Sequence, residues 1–238
     1  MEERTARFGG PLVIAAIILA IGMIVGGYLL GNGLVRARHA DRAVVVRGLA
    51  ERDVVADLAT WDLSYSEQGS DLADVQARIT QDTQAVRAYF QRLGFPADAL
   101  QPAGAGVNQF YDNGNPRVTI NQRLQLRTTD IARARKAVAD QFDLVRAGVQ
   151  LQDGSKMNYS FTKLNEIKPP MVAAATKDAR ASAEQFAKDS GTAVGGIKSA
   201  TQGYFSIEAR DGEGSGYGVA DTPFKKVRVV TTVEFYLQ

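Results

Sequence analysis

The stretch ATWDLSYS, residues 59–66, alternates strictly between apolar and polar side chains. Successive side chains of a β-strand point to opposite faces, so this period of two predicts a strand with one buried face and one solvated face. The predicted buried face holds Ala59, Trp61, Leu63 and Tyr65. Trp61 is the only tryptophan of the chain, and we expect it to be a core residue and not a platform for a ligand.

The segment before this strand also favours β-structure. Val44, Val45 and Val46 form a β-branched run that predicts a first strand. Residues 48–53 are interpreted as a turn that separates this run from the alternating strand. The chain from residue 43 to residue 67 is therefore predicted to be mostly extended.

A long helix is predicted to follow the alternating strand. Ser70 can cap its start, and Gly94 with Pro96 ends it. Apolar residues recur at helical spacing along it: Leu72, Val75, Ile79, Val86, Phe90 and Leu93. Two strands come next, one at about 101–112 and one beyond the turn at 112–116. The second of these has one apolar face, formed by Val118, Ile120, Leu124 and Leu126.

The second half of the chain begins with a short helix, which Asp130 caps and which runs to about residue 142. Alternation at Met157, Tyr159 and Phe161 predicts a strand. A longer helix then covers about 166–189, and its two prolines are expected in the first turn because a proline further along removes a helical hydrogen bond. These prolines are Pro169 and Pro170, and Gly191 closes the helix.

Strands at about 196–208 and 226–237 complete the pattern. The order strand, long helix, strand, strand therefore occurs twice, at 54–128 and 148–237. We interpret this as an internal duplication of one α+β unit, although the residues themselves do not repeat closely.

An uncharged segment of twenty residues, PLVIAAIILAIGMIVGGYLL at 11–30, precedes these elements. Twenty helical residues span about 30 Å, which matches the hydrocarbon thickness of a bilayer. The segment is longer than the apolar core of a signal peptide, and only Gly31 and Gly33 offer a weak cleavage site. We therefore expect a retained transmembrane anchor. Arginines flank it on both sides, so the charge count does not fix its orientation.

Composition excludes several classes of function for the rest of the chain. Beyond the first forty residues there are 24 Lys+Arg (28 less four) and 24 Asp+Glu (26 less two), so no basic excess indicates a nucleic-acid partner. No cysteine is present, which excludes disulfides and zinc–thiolate sites. The single histidine, His39, follows the apolar segment closely and is interpreted as a juxtamembrane polar residue.

Motifs for catalysis are absent or weak. The segment GEGSGYG at 212–218 lacks the Gly-Lys-Ser/Thr ending of a phosphate loop and is interpreted as a mobile loop. No Gly-x-Ser-x-Gly motif occurs. Glu51, Asp53 and Asp57 form the densest carboxylate group near a strand and are interpreted as solvated charges, with a metal or acid–base pair as the alternative. We assign no catalytic, cofactor-binding or metal-binding residues.

Four stretches in this order resemble the SIMPL-domain (DUF541) family of bacterial envelope proteins, over about residues 43–237. They are VVVRGLAERDVVADLATWDLSY, AVRAYFQRLGF, AAATKDARASAEQFAKDSGTAVGGI and TPFKKVRVVTTVEFYLQ. The chain departs from the family pattern where Ala56-Asp57 replaces a Pro-Asp pair and where Asn121-Gln122 replaces a Gly-Tyr pair. The resemblance is therefore to a divergent member.

The resemblance implies an extracytoplasmic domain with no established catalytic residues, a tendency to form homo-oligomers, and a link to envelope or oxidative stress. It also implies that the C-terminal domain faces the periplasm. Alanines of the helix at 173–187 are interpreted as core packing, with a subunit interface as the alternative.

We therefore expect an α+β protein of the bacterial inner membrane, with a single span and no cofactor. It would be no enzyme and would act through homo-oligomeric assembly. The alternatives are an envelope module that binds an unidentified small ligand in a cleft, or a carboxylate-based hydrolase. The expected boundaries are an N-terminal tail at 1–10, the anchor at 11–30, a juxtamembrane linker at 31–42, and a SIMPL-like domain at 43–238 with sub-units at about 43–128 and 148–237.

Overall fold

The N-terminal part of the chain is one helix, α1, Gly9–Ala40. The computed structural model describes the backbone of residues 9–40, 42–211 and 220–238, and the side chains of 14–32, 42–211 and 220–238. The loop at 212–218 and the side chain of His39 lie outside these residues. Within α1, Ile14–Asn32 has a mean hydropathy of 2.4, and none of it is buried. This helix is long and apolar enough to cross a membrane.

The rest of the described chain alternates strands and helices and is an α+β fold, as the sequence predicts. The elements are β1 (Ala43–Val55), β2 (Leu58–Gly69), α2 (Leu72–Arg92), β3 (Leu100–Asp112), β4 (Asn115–Thr128), α3 (Ile131–Ala139), α4 (Phe142–Arg146), β5 (Met157–Ser160), α5 (Leu164–Asp189), β6 (Val194–Gln202), β7 (Ser206–Ala209) and β8 (Phe224–Leu237). One sheet has the order β3-β4-β2-β5, and the other has the order β1-β8-β6, with β7 also paired to β8.

Neither sheet is built from one half of the sequence. β5 pairs with β2, with Trp61 opposite Met157, while β1 lies in the sheet of β6 and β8. The order strand, long helix, strand, strand is present as β2-α2-β3-β4 and as β5-α5-β6-β8, with β7 added. The internal duplication stays a prediction.

Two compact units share the chain. One consists of residues up to Leu49, Ala173–Gly203 and Val230–Gln238, and the other of Ala50–Val172 and Tyr204–Val229.

The core of the second unit lies between α2 and one face of β2 and β4. Trp61 is 1% exposed and meets Phe90 edge to face, with ring centroids 5.8 Å apart. The apolar stripe of α2 consists of Val75, Ile79, Val86, Tyr89 and Phe90. Asp71 caps this helix, because its carboxylate accepts the backbone N–H groups of Ala73 and Asp74. The cap predicted at Ser70 is therefore wrong by one residue.

In the first unit, β1 passes against α5 at Gly48. A Cβ at Gly48 would lie 1.9 Å from the carbonyl oxygen of Ala175. The adjacent Leu49 N–H donates to Asp178 Oδ2 at 2.9 Å. The predicted turn at 48–53 is therefore wrong: these residues continue β1, and the glycine is there because the helix backbone is so close.

The helix α5 differs from prediction at its start and agrees at its end. It begins at Leu164, so Pro169 and Pro170 lie in the second turn and not in the first. At the other end Gly191 has φ +67°, and the N–H of Thr192 donates to the Ala187 carbonyl at 2.9 Å. This pattern is a Schellman motif, which confirms Gly191 as the terminator.

The alanines of α5 form a buried stripe. The buried members are Ala175, Ala179, Ala183 and Ala187, whereas Ala181 is exposed. Ala179 and Ala183 pack with Val233 and Phe235 in the core of the first unit. At the end of the chain the Leu237 N–H donates to the Arg42 carbonyl at 2.9 Å.

The single strand predicted at 196–208 is two strands, β6 and β7. Between them Gly203 donates its N–H to the Val230 carbonyl at 2.9 Å. The hairpin at 112–116 is confirmed, since Asn113 and Gly114 both have positive φ, which is the requirement of a two-residue turn of type I′.

Candidate functional site

The face of β2 and β4 that points away from the α2 core carries polar side chains. The strand register places Ser64 opposite Arg123 and Ser66 opposite Asn121. On the other side of β4, Gly104 lies opposite Arg123, and Gly106 lies opposite Asn121. Directly opposed residues of an antiparallel pair share a face, so two glycines of β3 adjoin a row of polar groups.

The missing side chains of these glycines leave a hollow of about 400 Å³. We refer to it as the glycine-lined depression, and its lining consists of Ser64, Gly104, Ala105, Gly106, Asn121, Gln122, Arg123 and Gln152. A bulge between Pro102 and Gly104 shifts the register of β3 relative to β4 near the N-terminal end of β3. All of these residues belong to the second unit.

The segment that follows α4 is hydrogen-bonded to β2 and forms one wall of the depression. The Gln152 N–H donates to the Ser64 carbonyl at 2.7 Å, and Gln152 Nε2 donates to Ser66 Oγ at 2.8 Å. The Ser64 N–H donates to Ser155 Oγ at 3.0 Å. These bonds tie the backbone and the side-chain amide of Gln152 to the strand.

Arg123 gives the glycine-lined depression its charge. Among the described residues no carboxylate lies within 4 Å of its guanidinium, and no acidic residue lines the depression. On the same face Asp62 accepts a hydrogen bond from Gln125 Nε2 at 2.7 Å. A planar guanidinium with its donors open to a cavity can bind a carboxylate or phosphate group in a bidentate manner.

Two further cavities lie in the same unit. One, of about 300 Å³, is lined by Trp61, Val138, Gln141, Ser155, Lys156, Met157, Tyr159 and Asp221. The other, of about 310 Å³, is lined by Leu58, Pro96, Asp98, Ala99, Gln101, Arg127, Thr128 and Thr129. Trp61 is buried and donates its indole N–H to the Ser155 carbonyl at 3.2 Å, so it is a core residue, as predicted. Among the described residues, none of the three cavities has two carboxylates in its lining, as a carboxylate-based hydrolase would require.

The carboxylate group singled out in the sequence does not share one site. Glu51 forms two ion pairs: its Oε1 lies 3.7 Å from Arg228 Nε, and its Oε2 lies 3.9 Å from Lys226 Nζ. Asp57 accepts the Thr162 N–H at 2.7 Å and the Thr162 hydroxyl at 2.9 Å. In the part of the chain that the structure describes, no group of three or more His, Cys, Asp or Glu side chains could hold a metal ion.

A different carboxylate pair, Glu67 and Asp82, does interact. Burial raises the pKa of Asp82, and the charge of Glu67 and a hydrogen bond to Glu67 raise it further. The charge of Arg78, which also forms an ion pair with Glu67 at 2.9 Å, lowers the pKa of Asp82 and so partly counters this effect. Neither residue lines one of the three cavities. We therefore expect the pair to affect the stability of the fold and not the binding of a ligand.

The outer edge of β3 is the second feature of this unit. β3 ends its sheet, and within the described chain it pairs only with β4. Every residue from Gln101 to Asp112 is exposed, and no charged side chain occurs between Leu100 and Tyr111. Free edges are commonly protected from pairing with another chain by charges, prolines or bulges, and β3 has a proline and a bulge only near its start, at Pro102–Gly104. β1, also at the end of a sheet, carries four charged residues, Arg47, Glu51, Arg52 and Asp53.

The sequence contained a signal for the depression that we did not use. Gly104 and Gly106 alternate within a predicted strand, and Asn121 and Arg123 alternate on the polar face of the next strand. Glycine inside a strand often marks a place where space is kept free. Gln152 could not be found in this way, because it reaches the site from a segment without periodicity.

A comparison with protein-family models matches residues 44–235 to SIMPL, described as a protein of unknown function (DUF541). The description assigns no enzymatic activity. A search of curated proteins found no match. The family match covers nearly all of the chain that follows α1, and its span agrees with the resemblance seen in the sequence. The chain therefore belongs to the SIMPL (DUF541) family and carries an N-terminal helix that can span a membrane.

Proposed function

We propose that this protein is a single-pass protein of the bacterial inner membrane whose domain, residues 43–238, lies in the periplasm and forms a homo-oligomer. Residues 11–30 serve as the anchor, and the domain acts by assembly and not by catalysis, in protection of the envelope against stress. The single observation that carries this proposal is the long, uncharged, free edge of β3.

The β3 edge is suited to pairing with a second copy of itself. A free edge presents a row of unpaired backbone N–H and C=O groups, and an added strand satisfies them. Two copies of β3 that run antiparallel about a two-fold axis present the same groups to each other, as a closed dimer interface requires. Val107 and Phe110, which are 56% and 43% exposed, add apolar area beside this edge.

Charge and tethering favour the same outcome. Residues 41–238 contain 24 basic and 24 acidic residues, so copies do not repel one another over long distances. Anchors in one membrane raise the local concentration of the domain, so a weak contact between domains is amplified.

The test of assembly is the mass of the full-length protein in detergent, measured by sedimentation. We expect a defined multimer, and Val107→Lys should reduce its mass because it places a charge beside the edge. Val45→Lys is the matched control: Val45 is 63% exposed on β1, another strand at the end of a sheet, and this variant should keep the multimer.

Three outcomes count against the β3 interface. A folded wild-type monomer at micromolar concentration contradicts assembly itself. An unchanged mass of Val107→Lys contradicts the edge. If Ala181→Trp abolishes the multimer and Val107→Lys does not, the interface lies on the exposed side of α5 and not at the β3 edge.

The test of topology and retention uses spheroplasts. External protease should digest the chain beyond residue 41, and the N-terminal sequence of the membrane-bound protein should begin at or near Met1. Full protection in intact spheroplasts contradicts the outward orientation. A mature start near residues 32–41 shows that the apolar helix is a cleaved signal.

A further inference from the structure

We propose that the glycine-lined depression binds a small hydroxylated anion, meaning a compound that combines one carboxylate or phosphate group with several hydroxyl groups. Sugar acids and sugar phosphates are compounds of this class. The proposal goes beyond assembly: assembly uses the backbone groups along the β3 edge, whereas ligand binding uses side chains on a face of the sheet, although Gly104, Ala105 and Gly106 of β3 also line the depression.

The first step of the argument is that Gly106 has no structural reason to be glycine. Its φ is not in the left-handed region, and a Cβ at this position would meet no atom within 4 Å. Glycine inside a strand destabilises the folded state relative to alanine. A residue that the backbone does not require, and that costs stability, is explained by the space that it leaves open above Asn121.

The second step concerns the charge of the ligand. Arg123 lines the depression, and none of the described residues that line it is acidic. Among the described residues no carboxylate forms an ion pair with this guanidinium. The site thus presents a guanidinium that has no ion-pair partner among the described residues and has planar, directed donors, which is the chemistry that recognises carboxylate and phosphate groups.

The third step concerns the hydroxyl groups of the ligand. Asn121 and Gln152 line the depression with amides, and Ser64 adds a hydroxyl. Gln152 Nε2 is held by Ser66 Oγ, which leaves its carbonyl oxygen as an acceptor. In the described chain Asn121 Nδ2 and Ser64 Oγ make no hydrogen bond. Groups that donate and groups that accept lie side by side, as recognition of hydroxyls requires.

The fourth step concerns size and shape. A hollow of about 400 Å³ lies within the range of small-molecule sites. It is too small for a long protein segment. None of the described residues that line it is aromatic, so these residues offer a nucleobase or an aromatic ring no stacking partner. Charge and hydroxyl recognition are the two chemistries that remain.

The experiment is isothermal titration calorimetry on the full-length protein in detergent at fixed ionic strength. The probes are glucuronate for the carboxylate, glucose 6-phosphate for the phosphate, and neutral glucose. We expect at least one of the two anions to bind at least about tenfold more tightly than glucose, since hydrogen bonds to a charged group are the stronger ones. Whichever of glucuronate and glucose 6-phosphate binds more tightly shows whether the site prefers a carboxylate or a phosphate group.

Three variants locate the site. Arg123→Gln should weaken binding of the anion by about tenfold or more. Gly106→Val should weaken it as well, because the new side chain points into open space in the depression. Arg117→Gln removes a positive charge from the same face of β4, outside the lining, and should change the affinity by less than about twofold. Thermal unfolding confirms that each variant is folded.

The proposal is overturned if neither anion binds to the wild-type protein or if glucose binds as tightly as both. It is also overturned if Arg123→Gln and Gly106→Val, both folded, keep the wild-type affinity. Should Arg123→Gln fail to fold, Gly106→Val alone decides, because a Cβ at Gly106 meets no described atom within 4 Å.

Discussion

Gly48 of β1 lies against the backbone of Ala175 in α5 so closely that a Cβ on Gly48 would stand 1.9 Å from the Ala175 carbonyl oxygen. The same Cβ would lie 2.5 Å from the backbone nitrogen of Ala179. Both contacts are with backbone atoms, which cannot move away by changing a rotamer. Gly48→Ala should therefore destabilise the domain by at least about 2 kcal/mol, as over-packing of a core does. Urea unfolding measures this loss.

Gly196→Ala is the control for that substitution. Gly196 lies in β6, and a Cβ there would meet no atom within 4 Å. This variant should be as stable as the wild type or slightly more stable, because alanine restricts the unfolded chain. If Gly48→Ala unfolds at the same urea concentration as Gly196→Ala, the close contact between β1 and α5 is wrong.

Truncation of Trp61 should cost far more than truncation of an exposed aromatic residue. Trp61 is 1% exposed and packs against Phe90, so Trp61→Ala should lower the free energy of unfolding by about 3–5 kcal/mol. Tyr204 is fully exposed, and Tyr204→Ala should leave stability unchanged. Thermal unfolding followed by circular dichroism makes the comparison. Equal melting temperatures for the two variants would show that the indole is not part of the core.

The interaction of Asp82 with Glu67 should make stability depend on acidity. Burial and the charge of Glu67 raise the pKa of Asp82, so the native state binds this proton more readily than the unfolded state does. Stability from this group therefore rises as pH falls from neutral through the native pKa. Asp82→Asn removes the repulsion and should stabilise the protein at pH 7 by about 0.5 kcal/mol. The gain should shrink toward pH 4.

Urea unfolding at several pH values tests this expectation, with Asp98→Asn as the control at an exposed aspartate. A loss of stability at pH 7 in Asp82→Asn, or a gain that grows in acid, would contradict it.

Tyr89 should contribute to unfolding in alkali. Burial, with help from the carboxylates of Asp140 and Asp143, raises the pKa of Tyr89 from 10.0 to about 12. Between these values the unfolded state loses the phenolic proton and the native state keeps it, so stability falls as pH rises through this window. Tyr89→Phe should flatten this fall. It should also cost about 1–2 kcal/mol near neutral pH, because the Tyr89 hydroxyl donates to the buried Ala137 carbonyl.

Urea titrations between pH 8 and about pH 12 make this measurement, with the fully exposed Tyr204 changed to Phe as the control. Burial also raises the pKa values of Tyr65 and Tyr159, so part of the alkaline slope should remain in Tyr89→Phe. A slope identical to that of the wild type would show that Tyr89 is accessible to solvent.

Features that repeat along the chain could be predicted from the sequence. The alternation of apolar and polar residues around Trp61 predicts that Trp61 is buried, and the helical spacing of apolar residues predicts α2. Gly191 and the hairpin at Asn113 and Gly114 were predictable because turn chemistry is local.

Features that depend on distant contacts could not be predicted. The residues around Gly48 predict a turn, because no local pattern shows that a helix 127 positions later packs onto this glycine. The pairing of β5 with β2 has the same character, since periodicity gives the faces of a strand but not its neighbour. The glycine-lined depression combines both cases, because Gly106 and Arg123 lie in periodic strands while Gln152 does not.

The hydrogen bond between Leu237 and Arg42 joins the last strand of the domain to the residue just before its first strand. β8, Phe224–Leu237, therefore cannot take its full place in the sheet until residue 237 has left the ribosome. Pairing of strands that are far apart in the sequence slows folding. Before β8 has formed, β1 and β6 lack the strand that lies between them in the sheet. Deletion of residues 231–238 should for this reason be far more harmful than its length suggests, since residues 231–237 are the part of β8 that pairs with β6.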